Sequence, residues 1–392
     1  MRTSFQATMR LSRRLVLLFL ALAVALSVHA AGAAKYLVYV GTYTNHGSKG
    51  IYAYRFDTES GALDSLGLAV ETPQPSFLAA SPSGRFLYSV NELDQFDGKP
   101  SGGVSAFSID SATGRLTLLN QVSSLGPGPA YITLDRTGRF VFVANYTEGS
   151  VAVFRLSPDG NVGASTAYVR HDGSSVNPER QEGPHAHCVL LSPDNRFALV
   201  ADLGLDQVFV YPFDASRGTL GQPRIVKVAP GSGPRHLAFG ANGKFVYLIS
   251  EMRSTITVYS YNSSDGAMHR VQTISSLPPG FKGSSTAAEI VVHPSGKFLY
   301  ASNRGDDCIA GFAVDSTKGT LAPIEYVPTG GKTPRNFAVD PSGEWLLAAN
   351  QDSNNVVTFR INRKTGRLTQ AGAPIEVFSP AMVDFVQPAK EK

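Results

Sequence analysis

The chain has 392 residues, is 43% hydrophobic and only 17% charged, and carries a formal net charge of +4. This apolar content excludes a disordered chain, and a charged fraction well below the roughly 25% usual for globular proteins points to surface that faces protein rather than water. Two cysteines exclude a disulfide scaffold, and without C-x-x-C or C-x-x-C-H there is no zinc ribbon and no attached c-type haem.

Residues 1–30 read as a signal peptide. Arg2, Arg10, Arg13 and Arg14 form a basic head, Leu15 to Val28 is a fourteen-residue apolar run, and Val28-His29-Ala30 is a small-x-small cleavage site. The run is shorter than the about 20 apolar residues that cross a bilayer. Export to the periplasm or medium is therefore expected, with no membrane association after cleavage; a retained anchor is the alternative. Ser12-Arg13-Arg14 hints at the twin-arginine route, but Val16 and Leu18 stand where that signal favours Phe and Lys, so the general secretory route is expected. Cleavage takes four of the 35 Lys and Arg and none of the 31 Asp and Glu, which leaves 31 of each. A neutral mature chain gives no electrostatic ground for a nucleic-acid partner.

A repeat organises residues 31–392 into one expected domain. Ser83-Gly84-Arg85-Phe86 returns as Thr137-Gly138-Arg139-Phe140, Asp194-Asn195-Arg196-Phe197, Asn242-Gly243-Lys244-Phe245, Ser295-Gly296-Lys297-Phe298 and Ser342-Gly343-Glu344-Trp345. The aromatic positions are 54, 57, 48, 53 and 47 residues apart, and a degenerate copy at Lys35-Tyr36 brings the count to seven. Each unit reads as four short strands rich in Val, Phe, Tyr and Leu between Gly and Asn turns, with Thr113 to Leu116 and Thr365 to Leu368 turning into the last strand. Outside the signal no long 3.6-residue period occurs. The fold expected is all-β: a seven-bladed β-propeller with four-stranded blades stacked face to face, which explains the low charge.

The ends fit a closed ring. The first unit starts at Tyr36 with what is elsewhere the second strand, and Ser379 to Phe385 resembles an innermost strand such as Gln74 to Leu78, so the C-terminal strand is expected to complete the first blade. Innermost and second strands are antiparallel, so the start of one and the end of the other share a rim. That rim collects His185, His187, Arg235, His236 and Arg335 with Glu92, Asn145, Tyr146, Asp202, Glu251, Asn303, Arg304 and Asn350, whereas the other carries the repetitive turns. Charged groups and histidines converging on a channel mouth mark the default site.

Arg180-Gln181-Glu182-Gly183-Pro184-His185-Ala186-His187, followed by Val200 to Asp206, resembles the seven-bladed lactonase family, which holds the propeller-type 6-phosphogluconolactonases and the carboxymuconate-lactonising enzyme. Gly233 to His236, Ile249 to Glu251 and Ser302 to Arg304 extend the resemblance over essentially the whole mature chain. It implies a lactone hydrolase acting on a small-molecule lactone; no cofactor and no metal are expected, the latter because no further His-rich spacing supports a closed site, and the chain is expected to be a monomer. The family's His, Arg, Glu and further Arg match His187, Arg235, Glu251 and Arg304.

Those residue types suit lactone opening, which needs a base for water, an oxyanion stabiliser and an acid for the leaving alkoxide. His187 and Glu251 are the candidate catalytic pair; Arg235, Arg304 and His185 are candidate substrate-binding residues, the arginines for an anionic group. Without a Gly-x-Ser-x-Gly elbow a serine nucleophile is disfavoured. Other readings stand beside these. His185 and His187, two apart on a strand, share a face and are either packing residues or two ligands of a metal with Glu251 or His236. Arg235 with Glu251 is alternatively a structural ion pair, and the whole chain an exported binding or scaffold propeller that lost the chemistry. Cys188 and Cys308 are read as unpaired buried thiols.

Overall fold

Seven antiparallel sheets follow one another along the chain, as the repeat predicts. The computed structural model describes residues 35–387 and residue 389; the expected signal peptide lies outside the described residues. In the fifth blade, typical of the set, Pro234–Phe239 is innermost and is followed outward by Phe245–Ser250, Thr255–Tyr261 and Met268–Ser275. Val, Ile, Tyr and Phe suit such strands because branched and aromatic side chains pack on a pleated surface.

The two faces of each sheet are covered by the blades before and after it. Phe140, Phe142 and Val151 of blade three form one apolar cluster with Val189, Val200 and Tyr211 of blade four, all at most 1% exposed. Each such buried side chain contributes about 1.5–3 kcal/mol before the entropy of ordering it. The ring closes as expected: Pro380–Val386 lies antiparallel to Lys35–Thr42 and supplies the innermost strand of blade one. Trp345 of blade seven adds a second tie by donating its indole N–H to the Thr58 carbonyl (2.9 Å) and packing on Gly61, where any Cβ would collide with the indole.

Two details depart from the regular pattern. The outer strand of blade four is broken into Thr219–Leu220 and Arg224–Lys227, because the intervening Gly221-Gln222-Pro223 includes a proline with no N–H for the ladder. Blade two carries a small ribbon, Gln95–Phe96 with Lys99–Pro100, whose Asp97-Gly98 turn has positive φ at both residues, the hairpin geometry this dipeptide favours. Both cysteines are free and buried. No helix among the described residues is long and apolar enough to cross a membrane.

Candidate active site at the channel mouth

Two structurally equivalent positions in each blade build the mouth. The first is the residue just after the second strand. Its N–H donates to the start of the innermost strand, as in Glu92 to Gln74 (3.0 Å), Tyr146 to Gly128 (2.7 Å), Leu203 to His185 (2.9 Å) and Glu251 to Gly233 (2.7 Å). The second is a bulge on the innermost strand. Pairing skips one residue between Ala186 and Cys188, between Pro234 and His236, and between Pro334 and Asn336, so His187, Arg235 and Arg335 are the extra residues. A bulge re-aims the side chain it carries. Blade three has the same bulge at Ala130, where only a methyl group projects.

The asparagines at the second-strand ends serve the frame. The side-chain amides of Asn145, Asn303 and Asn350 donate to the carbonyls of Ser124, Ser276 and Thr329, each at the exit of the preceding blade (3.0, 2.7 and 3.2 Å). In blade four Asp202 takes that place: it accepts from the backbone N–H groups of His185 and Leu205 and contacts the His171 Nδ1 at 2.6 Å. The approach of residues 183–185 depends on Gly204, where a Cβ would sit 1.9 Å from the Gly183 carbonyl oxygen.

Glu251 is the hub. Its Oε1 accepts from Arg180 (2.7 Å), its Oε2 accepts from Arg235 (3.0 Å), and Oε2 also forms an ion pair with Arg304 Nη2 (2.8 Å), which donates to the Ala287 carbonyl (3.1 Å). Burial alone would raise its pKa, but the charges of Arg304 and Arg235 outweigh burial and hold the carboxyl well below the usual carboxylate range. Burial pushes the Arg235 guanidinium down to about 10, helped by Arg304 and Arg335. Glu251 is thus a fixed anion. His187 is fixed in the opposite sense: burial, then Arg235 and His236, hold its pKa well below the ordinary histidine value, so the imidazole is neutral. Its Nδ1 is buried without a hydrogen-bond partner among the described residues, as is Arg304 Nε. Buried polar atoms left unpaired cost about 1–3 kcal/mol each.

A second chain of contacts props Arg235 from below. Its Nη1 donates to the Ala288 carbonyl (2.8 Å) and reaches His236 Nε2 at 3.1 Å. Since a guanidinium cannot accept, Nε2 is the acceptor and the proton sits on Nδ1, which donates to Glu289 Oε1 (2.9 Å). Asn336 donates to the other Glu289 oxygen (2.6 Å). Phe77 and Asn336 line both the small cavity under the mouth and the cavity of about 780 Å³ that opens at the far rim, so they form the waist of the channel. Of the mouth arginines, Arg235 and Arg335 line the smaller cavity and neither lines the larger one.

Of the residues expected at the site, His187, Arg235, Glu251 and Arg304 come together. His185 stands beside them: its ring stacks on Tyr146 at 4.5 Å, its Nδ1 donates to the Tyr146 carbonyl (2.9 Å), and its Nε2 lies 3.3 Å from Glu182. Among the described residues no group of three His, Cys, Asp or Glu converges as a metal site would require. Sequence reasoning missed Arg180 as a partner of Glu251, although it stands in the quoted motif, and missed Glu289 beneath His236. Arg180 lies in a segment with no counterpart in other blades. Glu289 follows Ala288 in a strand whose pairing skips two residues, a shift that the apolar pattern does not reveal.

Comparison with known proteins places the fold in a family. Residues 37–385 match the family model described as lactonase, 7-bladed beta-propeller. A 6-phosphogluconolactonase of Bacillus subtilis is 37% identical over 352 residues, covering 90% of this chain and 99% of its own. One from Formosa agariphila is 37% identical over 305 residues, covering 76% and 84%. The solved periplasmic gluconolactonase of Pseudomonas aeruginosa superposes with a TM-score of 0.84 at 37% identity, covering 90% of this chain and 99% of that one. With the ring, the strand exchange and the mouth cluster already in place, the full-length match settles the kinship: the chain belongs to the seven-bladed β-propeller lactonase family.

Proposed function

We propose that this lactonase opens a sugar-type or other anionic lactone by attack of water at the channel mouth, as an exported monomer. The Bacillus relative supports a phosphorylated sugar lactone as the model substrate, and the Pseudomonas protein supports a periplasmic setting, in keeping with the signal peptide read from residues 1–30. One observation carries the mechanism: three arginines share the single carboxylate of Glu251 beside a neutral histidine with an unpartnered ring nitrogen.

In this reading His187 is the general base. It takes a proton from water as the oxygen bonds to the lactone carbonyl carbon, and the carbonyl π pair moves onto oxygen. Arg304 and Arg235 face that oxyanion. Collapse re-forms the carbonyl and breaks the bond to the ring oxygen, which leaves with the proton returned by His187. Glu251 acts as the anion that stabilises the imidazolium and aims the arginines, because a carboxylate held so acidic is a poor proton carrier. His185 holds the aromatic wall of Tyr146 against the substrate. The low basicity of His187 has a physical consequence: an anionic lactone offsets the positive charge of the mouth arginines that depress the imidazole and raises it toward a useful value.

Lactone hydrolysis by the purified protein, corrected for spontaneous opening, tests the reading. Turnover that saturates with substrate and survives EDTA is expected. No acceleration over the spontaneous rate would contradict the hydrolase, and loss on chelation restored by zinc would make the histidines ligands instead.

A further inference from the structure

The arginines of the mouth are not equivalent. Arg180, Arg235 and Arg304 are all bound to Glu251. Arg335 has no carboxylate of the described residues within 4.0 Å, yet it occupies the bulge position that in blades four and five holds His187 and Arg235. Its guanidinium lies over the Tyr43 ring, 5.1 Å from the centroid. Stacking fixes the plane of the fork while leaving its N–H edge free to donate.

The nearest acid is kept occupied. Glu92 Oε2 accepts from the Tyr43 hydroxyl (2.8 Å) and from Ser76, and Glu92 acts on Arg335 through its charge without an ion-pair contact. Tyr43, Ser76, Glu92, Arg235 and Arg335 line one small cavity. Four arginines at the mouth face the carboxylates of Glu251 and Glu92, with Glu289 beneath them pushed up by burial to about 7, while His187 and His236 are held neutral, so positive charge is in excess. Excess positive charge in a partly dry site calls for an anion, and the fork of Arg335 is the one not spent on a carboxylate among these four.

We infer that Arg335 is the specificity-determining residue of the site, and that it binds the anionic group, phosphate or carboxylate, of the lactone. The inference rests on the hydrolase reading above and deepens it: Arg235 and Arg304 are left for the reacting carbonyl, and Arg335 takes the charge at the other end of the substrate.

The test compares wild type, Arg335→Gln and Arg335→Lys on three lactones: neutral glucono-δ-lactone, its 6-phosphate, and glucaro-lactone, which carries a carboxylate. Binding of the products 6-phosphogluconate and glucarate to the same proteins is measured by calorimetry. Wild type should prefer one or both anionic lactones. Arg335→Gln should cut that preference by about 10- to 100-fold, mainly through KM, the scale of losing charge-assisted hydrogen bonds. Arg335→Lys should restore part of it, and the matching product should bind correspondingly less tightly to Arg335→Gln. Whichever anion shows the effect identifies the group. An unchanged preference in folded Arg335→Gln, or a wild type indifferent to charge, would overturn the inference; should the Gln variant not fold, unchanged preference and product affinity in Arg335→Lys would do so. If wild type opens no lactone the hydrolase reading falls, and product binding still decides: equal affinity in wild type and variant refutes the role of Arg335, and weakened affinity upholds it as an anion site.

Discussion

The two rims of the ring are built from the same repeat and have opposite chemistry. At the far rim six copies of one turn are nearly superimposable. Gly84, Gly138, Asn195, Gly243, Gly296 and Gly343 each take a left-handed φ between 61° and 74°, and each donates its N–H to the residue three back at 2.8–2.9 Å. Only glycine, or asparagine with its short polar side chain, enters that region cheaply. At the mouth the equivalent positions share backbone geometry but hold different side chains: Tyr43, Glu92, Tyr146, Leu203 and Glu251 after the second strands, with Arg304 ending the second strand of blade six, and Ala130, His187, Arg235 and Arg335 on the bulges. Sameness between copies marks what every blade needs in order to fold. Difference between copies at one position marks what is free to become a site.

That contrast breaks most sharply at Glu251. Glu251→Gln removes the anion that aims three arginines and stabilises the imidazolium, so kcat should fall about 100-fold or more, the scale of losing an electrostatic stabiliser, and stability should fall by about 3 kcal/mol because buried cations lose their partner. Both effects are expected in one variant, read by steady-state kinetics and thermal melts on the same sample. Wild-type kinetics in a destabilised protein would leave Glu251 a structural role only.

The converse is expected at the far rim. Trp345→Ala leaves a cavity and unties blade seven from blade one, at a cost of about 3–5 kcal/mol. The melting temperature should drop by several degrees while kcat/KM, measured well below it, stays within about threefold of wild type. A large kinetic loss would show that the two rims are not separable.

A smaller effect sharpens the boundary inside the channel. Asp384 lines the far cavity, and burial raises its carboxyl to about 7. Between about pH 4 and pH 7 the folded protein holds a proton that the unfolded chain has released, so this group's contribution is greatest at low pH and is lost as pH rises toward 7. Asp384→Asn should therefore gain a few degrees in melting temperature relative to wild type as pH is raised from 4 to 7, with kcat unaffected. A difference independent of pH would remove the carboxyl from the account.

The fold was legible because its determinants are repeated: the Ser-Gly-Arg-Phe turn recurs at blade spacing, and Ser379 to Phe385 has the pattern of a missing innermost strand. The rim that bears Glu251, His187, Arg235 and Arg304 followed from strand polarity alone. What was not legible lies where one residue is added or a loop reaches across. The bulges that aim His187, Arg235 and Arg335 insert a single residue, which short apolar strands absorb without visible change of pattern. Arg180 meets Glu251 from 71 positions away in sequence, out of a loop with no repeat to place it. The Asp97-Gly98 hairpin carries its own turn signal but has no counterpart in the other blades, so the repeat does not place it.

The central claim is that His187 and Glu251 work as one device, and a double-mutant cycle on kcat tests it most directly. His187→Asn and Glu251→Gln are each expected to cost about 100-fold, and the double variant should lose much less than the product of the two, because groups acting as a unit are not additive. Losses that multiply in full would mean two independent contributions, and full lactonase activity in either single variant would contradict the assignment.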